Sequence, residues 1–308
     1  MMICDDPSII SFNGSWGVST KGIGDFFKPR RAFKRSSILI EAAKLLDQEI
    51  SSNEAEELLA KSDSKFWSDS NEIVEVYKEE PIFEGQFSNE SYKDRVSEAI
   101  ENFNTLNKRN ILTDWENIIF HLPYAFHGRR MIINKWLDWM NENEIIQEVY
   151  SEIGEPESSE DSDWMKKVSK SNLYRKFLEE KIAPGEKASS EIGNMYTASI
   201  FMSLISTLVE GVNYNKDFKD KKIGFISYGS GSKAKIFEGT VQENWVEKIK
   251  KINLFESLNK RKKISIDVYE NLHNRKITSN VNNNNGIIKL TKISDGEFTQ
   301  GLRNYIKH

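Results

Sequence analysis

The sequence predicts a layered α/β fold, and three observations lead to that class. A short apolar run, Lys222–Ile226, has the length of a buried strand and is bounded by glycines. A second run of this kind covers 117–120. Stretches with helical periodicity lie before, between and after these runs, as a sheet covered by helices requires.

The turn after the first of these strands reads Tyr228-Gly229-Ser230-Gly231. Two glycines two residues apart let the backbone pass close to another backbone or to a ligand. Strand ends are where small molecules bind in layered α/β proteins. A tight turn without any ligand explains the same residues equally well. The residues that follow, 232–237, continue as either a helix or a further strand.

Length, charge and composition exclude several classes of protein. A chain of 308 residues forms one large domain or two ordinary ones. Its formal net charge of −4 gives no general basic field for nucleic acid. Without a run of eighteen apolar residues, we expect no membrane-spanning helix. The single cysteine, Cys4, excludes an internal disulfide and indicates a cytoplasmic protein. No metal-ligand spacing occurs, so we predict no metal site.

The first residues predict a hairpin or a sheet edge, because 1–4 and 8–12 are apolar on either side of an Asp-Asp-Pro turn. A domain rarely opens on a buried strand, so this pattern predicts that an N-terminal portion is absent. Next come Arg30 and Arg31 in a basic cluster that is either a solvated loop or a phosphate-binding rim. One or two helices are predicted over 38–59.

The middle of the chain predicts a helix, a strand and a second helix. Apolar residues from Tyr92 to Phe103 recur at the helical period, with Ser88 or Ser91 as the cap. The strand 117–120 ends at His121, which is placed to point into a cleft. A lone histidine is otherwise a satisfied core residue. The segment 131–140 continues as a helix.

The second half predicts charged helices over 164–182 and 244–259 and an alternating strand over 286–293. Between them, 192–209 mixes small and large apolar residues, which indicates a helix buried on all sides. Asn194 is predicted at the start of that helix, where free backbone N–H groups favour anions.

Five motifs, in this order, resemble the C-terminal half of 3-hydroxy-3-methylglutaryl-CoA synthase, an enzyme with the thiolase fold. They are Asp25-Phe-Phe-Lys-Pro29, Gly85-Gln-Phe-Ser-Asn-Glu-Ser-Tyr92, Phe120-His-Leu-Pro-Tyr124, Gly193-Asn-Met-Tyr-Thr-Ala-Ser199 and Lys222-Ile-Gly-Phe-Ile-Ser-Tyr-Gly-Ser-Gly231. The resemblance covers about residues 5 to 305. It implies a layered α-β-α-β-α arrangement of which 1–20 is a remnant of the N-terminal half and 21–308 is the C-terminal domain, with a helical and loop insertion.

The resemblance also implies an activity and a site. The family condenses acetyl-CoA with acetoacetyl-CoA in the mevalonate pathway of isoprenoid synthesis, uses CoA esters as substrates without a further cofactor, and forms homodimers. His121 would be the catalytic histidine that orients the acetoacetyl carbonyl. The acyl region would be bound by Asn194, Tyr228, Gly229, Ser230, Pro123 and Tyr124. The CoA phosphates would meet Lys28, Arg30, Arg31 or Arg129. The family's lysine five residues after the histidine is here Phe126, so that CoA contact does not carry over.

The sequence departs from the family at the nucleophile. The family's cysteine motif is absent, Cys4 does not resemble it, and no glutamate matches the general base. Four interpretations remain open: a fragment of a synthase, one subunit of a split enzyme, a non-catalytic acyl-CoA-binding or scaffold chain, and a β-branching synthase of polyketide assembly. The run Asn-Met-Tyr-Thr-Ala-Ser favours the mevalonate enzyme over the polyketide one.

Overall fold

A computed structural model describes residues 3–64, 72–77, 80–158, 161–277, 288–296 and 298–307. The chain divides into two compact units, Met1–Leu254 and Phe255–His308. The division predicted from sequence, at residue 20, stays a prediction. Residues 10–20 themselves lie in a strand of the main sheet.

The strands are β1 (Ile10–Thr20), β2 (Phe26–Phe27), β3 (Arg30–Lys34), β4 (Ile73–Tyr77), β5 (Ile82–Phe83), β6 (Asn117–Phe120), β7 (Lys222–Gly229), β8 (Lys233–Val241), β9 (Ile288–Ile293) and β10 (Arg303–Lys307). The helices are α1 (Arg35–Lys44), α2 (Ser52–Lys61), α3 (Gly85–Asn107), α4 (Ile111–Asp114), α5 (His127–Glu142), α6 (Ile146–Ile153), α7 (Ser162–Val168), α8 (Asn172–Lys181), α9 (Ala183–Ile192), α10 (Ala198–Asn213), α11 (Trp245–Ile249), α12 (Leu254–Asn259) and α13 (Ile266–His273).

The first unit is built on a four-stranded mixed sheet in the order β1-β8-β7-β6. β6 runs parallel to β7, whereas β8 is antiparallel to both of its neighbours. β7 and β8 form a hairpin whose turn is the glycine motif, so the residues after the turn are a strand and not a helix. The predicted strands over 117–120 and 222–226 are both confirmed.

Helix α3 packs closely on the sheet because one strand residue in its path has no side chain. A Cβ placed on Gly17 of β1 would lie 2.4 Å from Phe103 Cβ. Side chains alternate between the faces of a strand. Ile226 of β7 therefore joins the core that includes α3, while Phe225 lies on the other face and stacks on Phe237 at 4.8 Å. Helices α9 and α10 pack on each other and contact β6.

The edge strand β1 is partly capped by α3. The Val18 N–H donates to Asn102 Oδ1 at 2.9 Å, and the pairing with β8 shifts register between Phe12 and Trp16. Side-chain capping and bulges of this kind reduce the tendency of an edge strand to pair with another chain.

Several helix boundaries differ from the sequence predictions. Helix α3 begins at Gly85 and is capped by Glu84, whose carboxylate accepts from the backbone N–H groups of Gln86 and Phe87; the predicted serine cap was wrong. The helix predicted over 164–182 is two helices: the first ends at Val168, and the Ser171 hydroxyl caps the second by accepting from the Tyr174 N–H. The segment 244–259 is likewise divided into α11 and α12.

In the second unit, β9 and β10 form an antiparallel pair. The predicted strand over 286–293 is observed from Ile288, and its first two residues lie outside the described part of the chain. Across all the described ranges, none of the helices combines the length and apolar character needed to cross a bilayer.

Candidate active site

Three segments of the first unit meet at the end of the short parallel strand β6. The His121 N–H donates to the Ile226 carbonyl at 2.8 Å, which continues the β6–β7 pairing past the end of the strand. Tyr228 follows two residues later on β7, and the connection from α9 to α10 brings Ser199 against the His121 ring. The structure therefore places His121, Tyr228 and the segment after Asn194 next to one another.

The His121 imidazole is held by the first turn of α10. Its Nδ1 lies 2.9 Å from Ser199 Oγ, and the same hydroxyl oxygen accepts from the Leu122 N–H at 3.1 Å. Ser199 is fully buried. One hydroxyl group thus fixes both the ring and the backbone of the loop that carries it.

Burial lowers the pKa of His121 below its ordinary value, although a hydrogen bond with the Tyr196 backbone opposes the shift. A lowered pKa keeps the imidazole neutral near pH 7. A neutral imidazole has a single ring proton, so one ring nitrogen donates a hydrogen bond and the other accepts one.

Tyr92 of α3 contacts both His121 and Tyr228. Its hydroxyl donates to the His121 carbonyl at 2.7 Å, and its ring stacks on Tyr228 at 4.3 Å between centroids. Burial raises the pKa of Tyr92, which keeps the hydroxyl protonated as a donor. His127, the first residue of α5, packs on Tyr92 at 4.6 Å and on Tyr124 at 4.4 Å.

His127 differs from His121 in its environment. Its side chain is 1% exposed, and neither ring nitrogen has a hydrogen-bond partner among the described residues. Burial lowers the pKa of His127 to about 4, and the nearby charge of Arg130 acts in the same direction. The ring is therefore a neutral packing element.

The glycine turn is fastened by a buried carboxylate, Asp25. The Tyr228 hydroxyl donates to Asp25 Oδ2 at 2.5 Å, and the Gly231 N–H donates to Asp25 Oδ1 at 2.8 Å. Gly231 has φ +88°, a conformation that favours glycine. Gly229 and Ser230 are exposed at the tip, so their backbone and hydroxyl groups can reach a ligand.

Asn194 does not start a helix, which corrects the sequence prediction. Helix α9 ends at Ile192, and α10 begins only at Ala198. Asn194 Oδ1 accepts from the Tyr196 N–H at 2.7 Å, and Tyr196 adopts φ +50°, so the backbone turns here before it becomes helical. Asn194 is exposed and lies on the loop that precedes Ser199.

The four candidate CoA-binding cations differ in their surroundings. The Arg129 guanidinium pairs with Glu186 at 2.7 Å, and that carboxylate is 2% exposed. Arg30 forms an ion pair with Glu75 across β3 and β4. Lys28 and Arg31 are exposed, and Lys28 follows the anchored Asp25 by three residues. The ion pairs engage Arg129 and Arg30, whereas Lys28 and Arg31 make no ion pair found in the described structure and are the better candidates for a phosphate.

The single cysteine, Cys4, makes no contact with His121 among those found in the described ranges. Cys4 is exposed and its Sγ lies 3.3 Å from the Asp6 carbonyl. Within the described ranges, no group of three or more His, Cys, Asp or Glu side chains is arranged to hold a metal ion.

Sequence reasoning named His121, Tyr228 and Asn194 but missed the residues that hold them. Ser199 and Asp25 lie within two of the quoted motifs, yet a short polar residue beside apolar ones carried no signal of its partner. Their contacts span 78 and 206 positions of sequence, which no local pattern encodes.

Residues 74–298 match the family described as hydroxymethylglutaryl-coenzyme A synthase C terminal. The chain belongs to this family. The match includes His121, Ser199 and the β7–β8 hairpin, so the resemblance drawn from the motifs is confirmed.

Known proteins extend the comparison. A hydroxymethylglutaryl-CoA synthase of Haloferax volcanii is 28% identical over 216 residues, which cover 67% of this chain and 48% of that protein. The chain spans about half the length of the curated relatives it matches.

Solved structures share the fold. MvaS in complex with 3-hydroxy-3-methylglutaryl coenzyme A has a TM-score of 0.62 at 20% identity, over 98% of this chain and 59% of that one. The Curacin biosynthetic pathway HMG synthase, in complex with holo donor-ACP, also has a TM-score of 0.62, at 16% identity over 99% of this chain and 59% of that one. The fold is therefore the thiolase-like α/β fold predicted from the sequence.

Proposed function

We propose that this chain supplies the histidine side of a hydroxymethylglutaryl-CoA synthase site, which condenses acetyl-CoA with acetoacetyl-CoA. The observation that supports this most is the neutral His121 imidazole, held by Ser199 beside an open glycine turn, within the segment that matches the family. The relatives' shared name supports the acyltransferase chemistry and CoA esters as substrates. The mevalonate pathway is the metabolic context we propose.

In this proposal the residues have distinct tasks. His121 donates a hydrogen bond to the acetoacetyl carbonyl oxygen and stabilises the alkoxide that forms when a carbon nucleophile attacks C3. The Asn194 amide donates to the same acyl group. The backbone and hydroxyl of Gly229 and Ser230 line the acyl pocket, with Pro123 and Tyr124 on the facing loop. Lys28 and Arg31 bind the CoA phosphates.

Acetyl transfer in this reaction needs a thiolate, which serves as both nucleophile and leaving group. Cys4 lies on an exposed segment and contacts a backbone carbonyl rather than a base. We therefore propose that the thiolate and the general-base glutamate come from another polypeptide segment, either continuous with this one or on a separate subunit. A homodimer and a cytoplasmic location stay predictions, and sedimentation of the purified protein tests the first.

Isothermal titration of the chain with acetoacetyl-CoA tests the binding half of the proposal. We expect His121→Ala to weaken binding roughly tenfold, the effect of one hydrogen bond to a polar ligand. His273→Ala, at an exposed histidine of the second unit, is the matched control and should bind as the wild type does. Equal affinities for all three proteins would contradict the role of His121.

Turnover is tested by following the loss of acetoacetyl-CoA with acetyl-CoA, on the chain alone and with any upstream reading frame included. We expect activity only in the longer protein, and His121→Ala should abolish it. Turnover by the chain alone would show that the chain contains its own nucleophile. Loss of that turnover in Cys4→Ser would then identify Cys4 as the nucleophile.

A non-catalytic binding or scaffold chain is the second candidate, since it would use Asn194 and the glycine turn without needing His121. Binding that is unaffected by His121→Ala, together with no turnover in the longer protein, is the result that favours it. A polyketide β-branching synthase would prefer an acyl group on a carrier protein over the CoA ester. Competition between the two acyl donors distinguishes that enzyme.

A further inference from the structure

Ser199 occupies an unusual place for a helical serine. It is the second residue of α10, it is fully buried, and the N-cap residue before that helix makes no side-chain cap bond. Serines in helices usually bond a carbonyl one turn back or face solvent. The Ser199 hydroxyl instead reaches a different element, where it contacts His121 and Leu122.

The protons of this cluster can be assigned from the chemistry of its groups. A backbone N–H only donates, so Ser199 Oγ accepts from Leu122 at 3.1 Å. The hydroxyl has one proton, and the Nδ1 atom of His121 lies 2.9 Å away. If Nδ1 carried the ring proton, both groups would donate to Oγ. The buried hydroxyl proton would then lack an acceptor among the contacts found in the described part of the chain, which is unfavourable.

We propose that Ser199 is a positioning residue that holds His121 in the tautomer with its proton on Nε2. The hydroxyl donates to Nδ1, which leaves Nε2–H as the ring donor. In this tautomer Nε2–H makes the hydrogen bond with the Tyr196 backbone in the free chain, and a substrate carbonyl oxygen would replace that partner. The tautomer stands on the geometry alone, whereas its catalytic use rests on the proposed function.

Two roles of Ser199 can be separated by experiment. A purely structural role would hold the Leu122 backbone and leave the ring proton wherever it lies. A positioning role makes the tautomer depend on the hydroxyl, because donation to the Nδ1 lone pair stabilises one neutral form over the other. The same donation disfavours protonation at Nδ1, so its loss should also raise the pKa of His121.

The test is ¹⁵N NMR of the full chain with labelled imidazole rings near neutral pH, with His121→Gln to identify the His121 signals. In the wild type we expect a protonated, pyrrole-type Nε2 and an unprotonated, pyridine-type Nδ1. In Ser199→Ala the two nitrogen shifts should move toward each other, as the tautomers mix, and Ser199→Thr should restore the difference. Ser203→Ala is the matched control, because Ser203 is equally buried one turn further along α10 and its hydroxyl has no partner in the described chain.

A wild-type signal with Nδ1 protonated would overturn the inference, and so would a Ser199→Ala spectrum that leaves the His121 shifts unchanged. If Ser199→Ala does not fold, Ser199→Cys replaces the hydroxyl by a weaker donor, and unchanged shifts there would overturn it equally. Titration with acetoacetyl-CoA separates the two proposals. Wild-type His121 shifts that show the Nε2–H tautomer but do not respond to the thioester support the role of Ser199 and contradict the proposed function.

Discussion

The buried carboxylate of Asp25 offers the sharpest test of how the glycine turn is held. Asp25 is 0% exposed and accepts from the Tyr228 hydroxyl at 2.5 Å and the Gly231 N–H at 2.8 Å. A hydrogen bond to a charged group contributes about 1.5–3 kcal/mol. The Gly231 N–H lies on an exposed turn where water can replace its partner. We therefore expect Asp25→Ala to lower the free energy of unfolding by roughly 2–4 kcal/mol, most of it from Tyr228.

A double-mutant cycle isolates that bond. Tyr228→Phe removes the same interaction from the other side, so the double variant should lose less than the sum of the single losses, by about 1.5–3 kcal/mol. Urea unfolding followed by tryptophan fluorescence provides the four free energies. Asp25→Ala combined with Tyr124→Phe is the matched control, because Tyr124 is exposed and does not contact Asp25 in the described structure.

Additive losses, within roughly 0.5 kcal/mol, would refute the reasoning, since they would mean that Asp25 and Tyr228 stabilise the fold independently. The same variants connect the turn to binding. If the turn shapes the acyl pocket, Asp25→Ala should weaken acetoacetyl-CoA binding under conditions where the variant is still folded. Unchanged affinity would show that the turn does not shape the acyl pocket.

Three further perturbations test the fold and the site. Gly224→Ala should destabilise the protein by about 3 kcal/mol or more in urea unfolding, because the added Cβ would lie 1.7 Å from Trp115. His127→Phe keeps the ring packing and should stabilise the protein by about 1–2 kcal/mol, since it removes two unpaired buried nitrogens. Folding lowers the pKa of His127 from 6.5 to about 4. The unfolded chain therefore binds a proton that the folded chain does not, and the stability present above pH 6.5 is lost as the pH falls toward 4. Over that range the free energy of unfolding of the wild type should fall by up to roughly 3 kcal/mol more than that of His127→Phe, measured by urea unfolding at each pH. Arg129→Met should lower the free energy of unfolding by about 3–5 kcal/mol, because it leaves the Glu186 carboxylate buried without a partner cation, and adding Glu186→Met should restore most of that stability. If the double variant binds CoA as the wild type does, Arg129 is not a CoA ligand.

The sequence predicts most of the first unit because its elements carry strong periodic patterns. The strand 117–120 and the hairpin strand from Lys222 each contain a short apolar run, Ile118–Phe120 and Ile223–Ile226, which is typical of a buried strand. A helix was predicted over 131–140, and α5 covers that segment from His127 to Glu142. The boundaries are less predictable, because a cap depends on one side chain and not on a pattern. At α3 the cap is the carboxylate of Glu84, which accepts from the free N–H groups of Gln86 and Phe87, and the later serines lie inside the helix.

The start of α10 shows why local propensity fails near a site. Asn194 is followed by a run with good helical periodicity, so a helix start there is the natural prediction. Tyr196 instead adopts a left-handed backbone conformation, and the chain becomes helical only at Ala198. That delay places Ser199 in the first turn of the helix, facing His121. Tertiary contact with the β6 loop decides the geometry, and a single sequence does not display it.

The bonds that hold the site share one design, in which a side chain from one element binds the backbone of another. Tyr92 of α3 donates to the His121 carbonyl, Ser199 of α10 accepts from Leu122, and Asp25 accepts from Gly231. Such bonds fix the path of a loop whatever its own sequence, and they leave the His121 ring and the turn tip available to a ligand. Stabilisation of a developing alkoxide depends on donors that are already in place, because reorganisation during the reaction would consume the gain. If the proposed function holds, the arrangement predicts that the acyl group binds with little rearrangement, and that removing any of the three anchors lowers the rate of condensation more than it weakens the binding of CoA.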